Sequence, residues 1–189
     1  MGPTHPESPR RLEALIELLD SPQVADLNLL RVGERLADEA EIVRVHTGDY
    51  WRRIADSEGH HVQLDPDTRA SPRSFEAARR ASGAALQAFD AVLRGDARNG
   101  FALVRPPGHH AEAYSAMGFC LFNSVAIVAQ HARAVHGLER IAIIDFDVHH
   151  GNGTQAAFWD DPNTLFISSH QFPFYPGTGA AFEVGGSSA

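Results

Sequence analysis

The chain contains a single cysteine, Cys120, among 189 residues. An internal disulfide is therefore impossible, and a cysteine-rich zinc site is excluded. No apolar run approaches the roughly 18 residues that span a bilayer, and the N-terminus lacks the apolar region of a signal peptide. Positive charge is scarce, and the net charge of −8 argues against a protein that binds nucleic acid by general electrostatic attraction. These absences predict a cytoplasmic protein that binds neither membranes nor nucleic acid directly.

The composition is that of one globular domain. Hydrophobic residues make up 43% of the chain and charged residues 21%, and the length is sufficient for one core. We therefore predict a single domain over residues 1–189. Apolar periodicity predicts helices alternating with short strands, an order typical of an α/β fold with a mainly parallel sheet. The predicted helices cover residues 12–19, 47–54, 75–93 and 121–135. The predicted strands cover 101–104, 164–168 and a run starting at 141, and residues 41–45 are predicted as a short strand or an extended segment. Residues 60–67 and 171–189 are predicted loops.

The strand that begins at Ile141 ends in an alternation of acidic and apolar residues, followed by histidine. Strand side chains repeat every two residues, so Asp145, Asp147 and His149 would share one face. Two carboxylates and an imidazole at the carboxyl end of a buried strand are costly unless a cation or hydrogen bonds compensate them. Mixed Asp and His ligands suit Zn²⁺ or a similar divalent ion. The sequence therefore predicts a metal site at this end of the sheet.

A second pair of histidines follows another predicted strand. His109 and His110 come directly after a rigid Pro-Pro-Gly turn at residues 106–108. Parallel strands bring their carboxyl ends to one edge of a sheet, so we expect this pair to face the Asp–His cluster. Histidines beside a metal can act as general acid and base. Two solvated loop histidines are the alternative interpretation.

Other reactive residue types have plainer explanations. Cys120 lies in an apolar run without a charged neighbour, which predicts a buried, unreactive thiol. His60 and His61 fall in a polar loop and are interpreted as solvated. His131 and His136 lie near the end of a predicted helix, where cationic side chains are favourable, and are interpreted as structural.

Several of these segments together resemble the zinc-dependent histone deacetylase family. That superfamily includes the acetylpolyamine amidohydrolases and acetoin-utilisation proteins, and the resemblance implies an arginase-like, three-layer α/β fold. Asn152 resembles the class II and bacterial amidohydrolase branch, since class I enzymes carry an aspartate there. The motifs, in the family's order, are His5-Pro-Glu-x-Pro-x-Arg11, Arg105-Pro-Pro-Gly-His-His-Ala111, Gly118-Phe-Cys-Leu-Phe-Asn123, Asp145-Phe-Asp-Val-His-His-Gly-Asn-Gly-Thr-Gln155, Ser169-His-Gln171 and Tyr175-Pro-Gly-Thr-Gly179.

The resemblance implies a role for each residue of the two His clusters. Asp147 and His149 would be zinc ligands, and His109 and His110 would be the tandem acid/base histidines. Asp145 would orient His109. The resemblance also places Asn152 behind His110, where such supporting groups set the tautomer and basicity of an imidazole.

Further roles follow from the same resemblance. Asp145 and Ser168, with backbone carbonyls, would hold a monovalent cation such as K⁺. Phe119 and Tyr175 would form the walls of a tunnel for the acyl-lysine side chain, with Gly118 contributing backbone contacts. Arg11 would line an internal cavity behind the metal.

The implied activity is removal of acetyl groups from acetyl-lysine or acetylated polyamines with zinc-activated water. Family members supply a third zinc ligand from a Gly-Phe-Asp segment and an oxyanion-stabilising Tyr from a Gly-Gly-Tyr loop. Neither segment occurs in the sequence, and the family's first strand would precede His5, so we expect the N-terminal part of such a domain. An inactive fragment or interaction module of this family is one alternative, and an arginase-like metal-dependent ureohydrolase is another. The Gly-His-His and Gly-Phe-Cys sequences argue against the ureohydrolase.

Overall fold

The computed structural model describes residues 5–186. Helices predominate over the first part of this range, and a strand, a helix and a strand follow one another over residues 141–168. The helices are α1 (Arg10–Leu19), α2 (Glu39–Ile42), α3 (Gly48–Ala55), α4 (Ser74–Leu93), α5 (Ser124–His136) and α6 (Asn152–Ala157), with a 3₁₀ turn at Pro22–Leu27. The strands are β1 (Val62–Gln63), β2 (Arg69–Ala70), β3 (Ile141–Asp145) and β4 (Thr164–Ser168).

The parallel pair of β3 and β4 positions the candidate site. Ile141 lies opposite Thr164 and Asp145 lies opposite Ser168, so both strands end at the same edge. α6 lies in the connection between them, which makes a βαβ unit. β1 and β2 form a separate antiparallel pair. The α/β class is confirmed, and within residues 5–186 the sheet is partial, since each sheet there has two strands.

The helix ends follow local sequence signals. Thr47 accepts a hydrogen bond from the Tyr50 N–H at the start of α3 (3.2 Å), as a capping threonine does. At the start of α5, the Asn123 side-chain oxygen accepts from the Ala126 N–H (3.1 Å). α5 ends at Gly137, whose φ of +67° favours glycine. The four predicted helices are all present with shifted ends.

Two of the predicted strands are wrong. The segment predicted as a strand over residues 41–45 begins in α2, because Asp38 and Glu41 cap each other reciprocally with hydrogen bonds of 2.9 and 3.0 Å. The strand predicted over residues 101–104 does not form, and Phe101 is 82% exposed there. The loop predicted over residues 60–67 contains β1, which pairs with β2. An apolar run alone does not determine whether a partner strand is available to pair with it.

Aromatic side chains form the main core. The rings of Trp51 and Phe122 stack with centroids 5.8 Å apart, and the Tyr50 hydroxyl donates to the Leu121 carbonyl at 2.7 Å. Full burial of such a side chain contributes roughly 1.5–3 kcal/mol. Because Leu121 and Phe122 immediately precede α5, this packing holds the segment before that helix in place.

A smaller apolar cluster joins β3 to the helices. Ile143 packs with Phe158 and with two alanines of α5, Ala126 and Ala129. The buried face of β3 is thus fixed against α5, while Ile144 on the other face is exposed. The helices described over residues 5–186 are too short or too polar to cross a membrane.

Candidate active site

The two adjacent histidines sit on a turn that packs against the start of α5. A side chain at Gly108 would meet the Phe122 carbonyl and the Ser124 N–H at 2.9 Å, so only glycine allows this close approach. The rings of His109 and His110 lie 4.0 Å apart between centroids. The turn therefore presents two imidazoles side by side from a fixed backbone.

His109 is held by a carboxylate at the end of β3. Its Nδ1 lies 2.8 Å from the Asp145 Oδ2, and its Nε2 lies 3.9 Å from the Asp147 Oδ1. Burial alone would raise the pKa of Asp145, but the hydrogen bond and charge of His109 outweigh it and the net pKa is lowered. Asp145 is thus an ionised partner, and it favours the tautomer of His109 with the proton on Nδ1.

His110 has a neutral partner instead. Its Nδ1 lies 2.8 Å from the Asn152 Oδ1 at the start of α6. The ring is buried, and burial, followed by the neighbouring His109, lowers the pKa of His110 to about 4. At neutral pH His110 is therefore uncharged and able to accept a proton.

Asp147 and His149 reach the site from a loop rather than from the strand. β3 ends at Asp145, so the strand alternation predicted for these residues stops there. The Asp145 Oδ1 accepts from the Asp147 N–H (3.1 Å), and the Asp147 Oδ1 accepts from the His149 N–H (2.8 Å). Two successive Asx turns thus replace the predicted strand geometry. They bring the Asp147 Oδ1 and the His149 Nδ1 to 3.4 Å from each other.

This pair lies beside the histidine turn and suits a divalent cation. The His149 ring centroid is 6.0 Å from that of His110. Asp147 and His149 have side chains 51% and 45% exposed, so their ligand atoms remain accessible. One carboxylate oxygen and one imidazole nitrogen at this separation fit two positions of a tetrahedral zinc site. Asp147 and His149 would hold the ion.

Ser168 is held next to Asp145 by the strand pairing. The two residues lie opposite each other in the ladder, and the Ser169 N–H donates to the Asp145 carbonyl at 2.9 Å. The Ser168 hydroxyl bonds to His170 Nδ1 at 2.9 Å. The monovalent cation expected between Asp145 and Ser168 remains a prediction.

Gly118 and Tyr175 lie against the histidines, on the side predicted as the substrate approach. Gly118 has a φ of +55°, and a Cβ there would overlap the His110 ring. Phe119 also has a positive φ, +67°, an uncommon conformation for a large side chain. The Tyr175 ring lies edge-on to His110 and His149, with centroids 5.1 and 5.6 Å away. The Tyr175 ring thus lies against both histidines, while the walls predicted from Phe119 and Tyr175 together stay a prediction.

The polar loop before β2 supports this approach, a function that the sequence did not suggest. The Asp67 carboxylate accepts from the Gly118 N–H (3.1 Å), and the Thr68 hydroxyl accepts from the Phe119 N–H (3.0 Å). These hydrogen bonds hold the backbone of Gly118 and Phe119, the two residues of this segment with positive φ. Composition predicted only a loop here, because the partners lie about fifty residues further along the chain.

Two further sequence interpretations agree with the structure and one does not. Cys120 is fully buried, and burial raises the pKa of its thiol to about 12, as expected for an unreactive cysteine. His60 and His61 are exposed. Arg11 is mostly exposed and pairs with the buried Glu7 at 2.7 Å, so it does not line an enclosed cavity.

His131 and His136 form a separate cluster with Asp90 between α4 and α5. Their Nε2 atoms lie 2.9 and 2.8 Å from the same Asp90 oxygen. Within residues 5–186 this is the one group of three metal-binding side chains whose ligand atoms lie within 4.8 Å of one another. The Arg44 guanidinium lies 3.5 Å from the His131 Nδ1, which disfavours a further cation. We interpret the cluster as a hydrogen-bonded tie between the two helices.

Fold and site together define an α/β domain in which a tandem-histidine turn faces an Asp–His pair. A family model, Histone deacetylase domain, matches residues 5–189, and the chain belongs to this family. The chain is similar to the crystal structure of the HDA15 HD domain, with a TM-score of 0.92 and 41% identity over 97% of this chain and 53% of that one. The arginase-like fold expected from the sequence agrees with this match.

Three curated relatives carry deacetylase or amidohydrolase names. The chain is 43% identical to a histone deacetylase-like amidohydrolase of Pseudomonas aeruginosa, over 96% of this chain and 48% of the relative. It is 40% identical to a probable deacetylase of Archaeoglobus fulgidus, over 97% and 51%. It is 42% identical to the human polyamine deacetylase HDAC10, over 88% and 26%. The chain spans about half the length of the first two. These names are those of deacetylases and not of ureohydrolases.

Proposed function

We propose that this chain carries part of the active site of a zinc-dependent deacetylase acting on acetyl-lysine or acetylated polyamines. One observation carries the proposal: two adjacent histidines, each with a different hydrogen-bond partner, lie against an accessible Asp–His pair. His109 is bonded to Asp145, and His110 is bonded to an amide. Asp147 and His149 would hold the zinc ion, which would act as a Lewis acid for the acetamide carbonyl and for water.

His110 is the residue we assign to proton transfer. Its Nδ1–H donates to Asn152, which leaves the Nε2 lone pair free, and its lowered pKa keeps it neutral near pH 7. It takes a proton from the attacking water while the new C–O bond forms. It then gives that proton to the nitrogen as the C–N bond breaks, which yields acetic acid and the amine, and the acid proton passes to the amine so that acetate and an ammonium leave. The Asp145–His109 pair places negative charge near the His110 ring, where it offsets the positive charge that forms on His110 during proton transfer.

The approach to the site suits an apolar substrate stem that ends in an amide. Phe119 and Tyr175 would offer ring faces and edges to such a stem, and an acetylated amine has lost the charge of the free amine. The butyl stem of acetyl-lysine and the methylene chain of an acetylated polyamine share this chemistry. The K⁺ ion proposed between Asp145 and Ser168 would support the end of β3. A cytoplasmic location and the absence of nucleic-acid binding remain predictions.

The test is turnover of a fluorogenic acetyl-lysine peptide and of an acetylated polyamine, with added zinc and with a chelator. Activity that needs zinc and is lost in His110→Ala supports the proposal. His61→Ala is the matched control, because His61 is an exposed loop histidine. Folded protein without turnover on either substrate would instead support the alternative of an inactive or interaction module. The observation behind that alternative is that, among residues 5–186, two of the predicted zinc-binding side chains converge here rather than three.

A further inference from the structure

We propose that Glu112 is a positioning residue that fixes the direction of the Asn152 amide and thereby the tautomer of His110. The proposal starts from the two ends of that buried amide. Its Oδ1 lies 2.8 Å from the His110 Nδ1. Its Nδ2 lies 2.9 Å from the Glu112 Oε1, with the Met117 sulfur at 3.2 Å and the His110 carbonyl at 3.4 Å.

The hydrogen bond to His110 does not by itself fix the orientation of the Asn152 amide. A neutral imidazole nitrogen can either donate or accept, and the two ends of an asparagine amide have nearly the same shape. If the amide turned over, Nδ2 would donate to the His110 Nδ1, and the ring proton would have to move to Nε2. Both arrangements satisfy the bond between His110 and Asn152. The choice must therefore come from the other end of the amide.

Glu112 fixes the orientation of the Asn152 amide because a carboxylate only accepts hydrogen bonds. In the observed orientation it receives an N–H of Asn152 at 2.9 Å. In the turned orientation two oxygens would face each other at this distance, without a proton between them. The His110 carbonyl and the Met117 sulfur prefer the same orientation, but they are a more distant acceptor and a weaker one. A bond to a charged acceptor is the strongest of the three.

The backbone of Glu112 is itself firmly held. Its N–H donates to the Ser115 carbonyl at 3.0 Å. Its carbonyl accepts from the Nδ1–H of the buried His46 at 2.8 Å. Glu112 follows His110 by two residues, so the same turn carries both the histidine and the group that orients its partner. The orientation of the amide is therefore set before any substrate arrives.

The consequence for catalysis rests on the function proposed above. Proton transfer by His110 needs a free lone pair on Nε2, which exists only when Nδ1 carries the proton. Loss of Glu112 would let the amide turn and place a proton on Nε2. Glu112→Ala should lower kcat with little change in KM, because Glu112 is a partner of Asn152 rather than of the substrate.

The tautomer can be read directly by ¹⁵N NMR of the histidine rings in the full chain, without an activity measurement. At pH 8 we expect His110 in the wild type to be protonated on Nδ1. Glu112→Gln keeps an accepting oxygen and should retain this tautomer. Glu112→Ala should shift the tautomer ratio toward Nε2–H by about ten- to a hundred-fold, the value of one bond to a charged group. Glu58→Ala, at an exposed glutamate, is the control.

Two results would overturn the proposal. One is a folded Glu112→Ala protein in which His110 keeps its proton on Nδ1. The other is a wild-type His110 protonated on Nε2, which needs no variant and applies even if Glu112→Ala fails to fold. A wild-type chain without deacetylase activity would count against the proposed function, but it would leave the tautomer measurement valid.

Discussion

Acidification should destabilise the fold through His46, a buried histidine under the turn that carries the candidate site. His46 is 2% exposed. Its Nδ1–H donates to the Glu112 carbonyl (2.8 Å), and its Nε2 accepts from the Asn123 N–H (2.9 Å). Only the neutral ring satisfies both bonds, since a proton on Nε2 would face the Asn123 N–H. Burial lowers the pKa of His46 to about 4 in the folded chain.

The sign and the size of the effect follow from this pKa. In the unfolded chain the pKa is about 6.5, so below that pH the unfolded state binds a proton that the folded state does not. The stability that the neutral ring provides is thus complete above pH 6.5 and is lost as the pH falls toward 4. At pH 5 the loss is about 2 kcal/mol, from two-state linkage between these two pKa values.

Urea unfolding at pH 7.5 and pH 5.0 tests this expectation with His46→Gln, which keeps an accepting oxygen and a donating amide but does not titrate. Between the two pH values, the free energy of unfolding of the wild type should fall by about 2 kcal/mol more than that of the variant. His110 and His150, whose pKa values are also lowered by burial, titrate in both proteins and cancel in this comparison. Equal losses in the two proteins would refute the reasoning.

Three other perturbations address the site and its surroundings. Gly118→Ala should abolish turnover, because its Cβ would overlap the His110 ring, and it should cost about 1–2 kcal/mol of stability for the positive φ, measured by urea unfolding. Asp145→Asn should lower kcat about 10- to 100-fold with the fold retained, because the ionised partner of His109 is lost. Cys120 should resist alkylation in the native chain and react once urea unfolds it, because burial raises its pKa and removes access.

Each of these expectations has a control and a contrary result. Gly33→Ala is the control for Gly118→Ala, since a Cβ at Gly33 meets nothing within 4 Å. Full turnover in Gly118→Ala would show that the ring has room to move. Unchanged kcat in Asp145→Asn would remove the carboxylate from the proposed mechanism. Rapid native alkylation of Cys120 would mean that the segment before α5 opens readily.

The sequence predicted those parts of the fold that depend on periodicity and local capping. The helices α3, α4 and α5 have apolar spacing and end signals within a few residues, and β3 and β4 coincide with two apolar runs, whereas α6 between them was not predicted. The strands expected at residues 41–45 and 101–104 are wrong because strand formation needs a partner that the segment itself does not encode. The reciprocal cap of Asp38 and Glu41 decided the first of these locally.

The candidate site was predictable for a different reason. Two parallel strands ending at one edge predict His109 near Asp145, but the strand expected before His109 does not form, and the turn packed against the start of α5 holds this histidine there instead. Strand alternation predicts the correct side for Asp147 for the wrong reason, because two Asx turns place this residue. Glu112 and Asp67 gave no recognisable signal, because each acts on a group that only the folded chain brings near. Local patterns thus indicate which residues react, and tertiary contacts decide which residues orient them.

Asp145 lies in the ladder between β3 and β4, so its hydrogen bonds to the candidate site depend on the register of these two strands. Its side chain contacts His109 and the Asp147 N–H, and its backbone is paired with β4. A slip of one residue between β3 and β4 would turn this side chain to the opposite face. His109 and Asp147 would then both lose their hydrogen bonds to Asp145. Variants that loosen this strand pairing should therefore inactivate the protein before they unfold it.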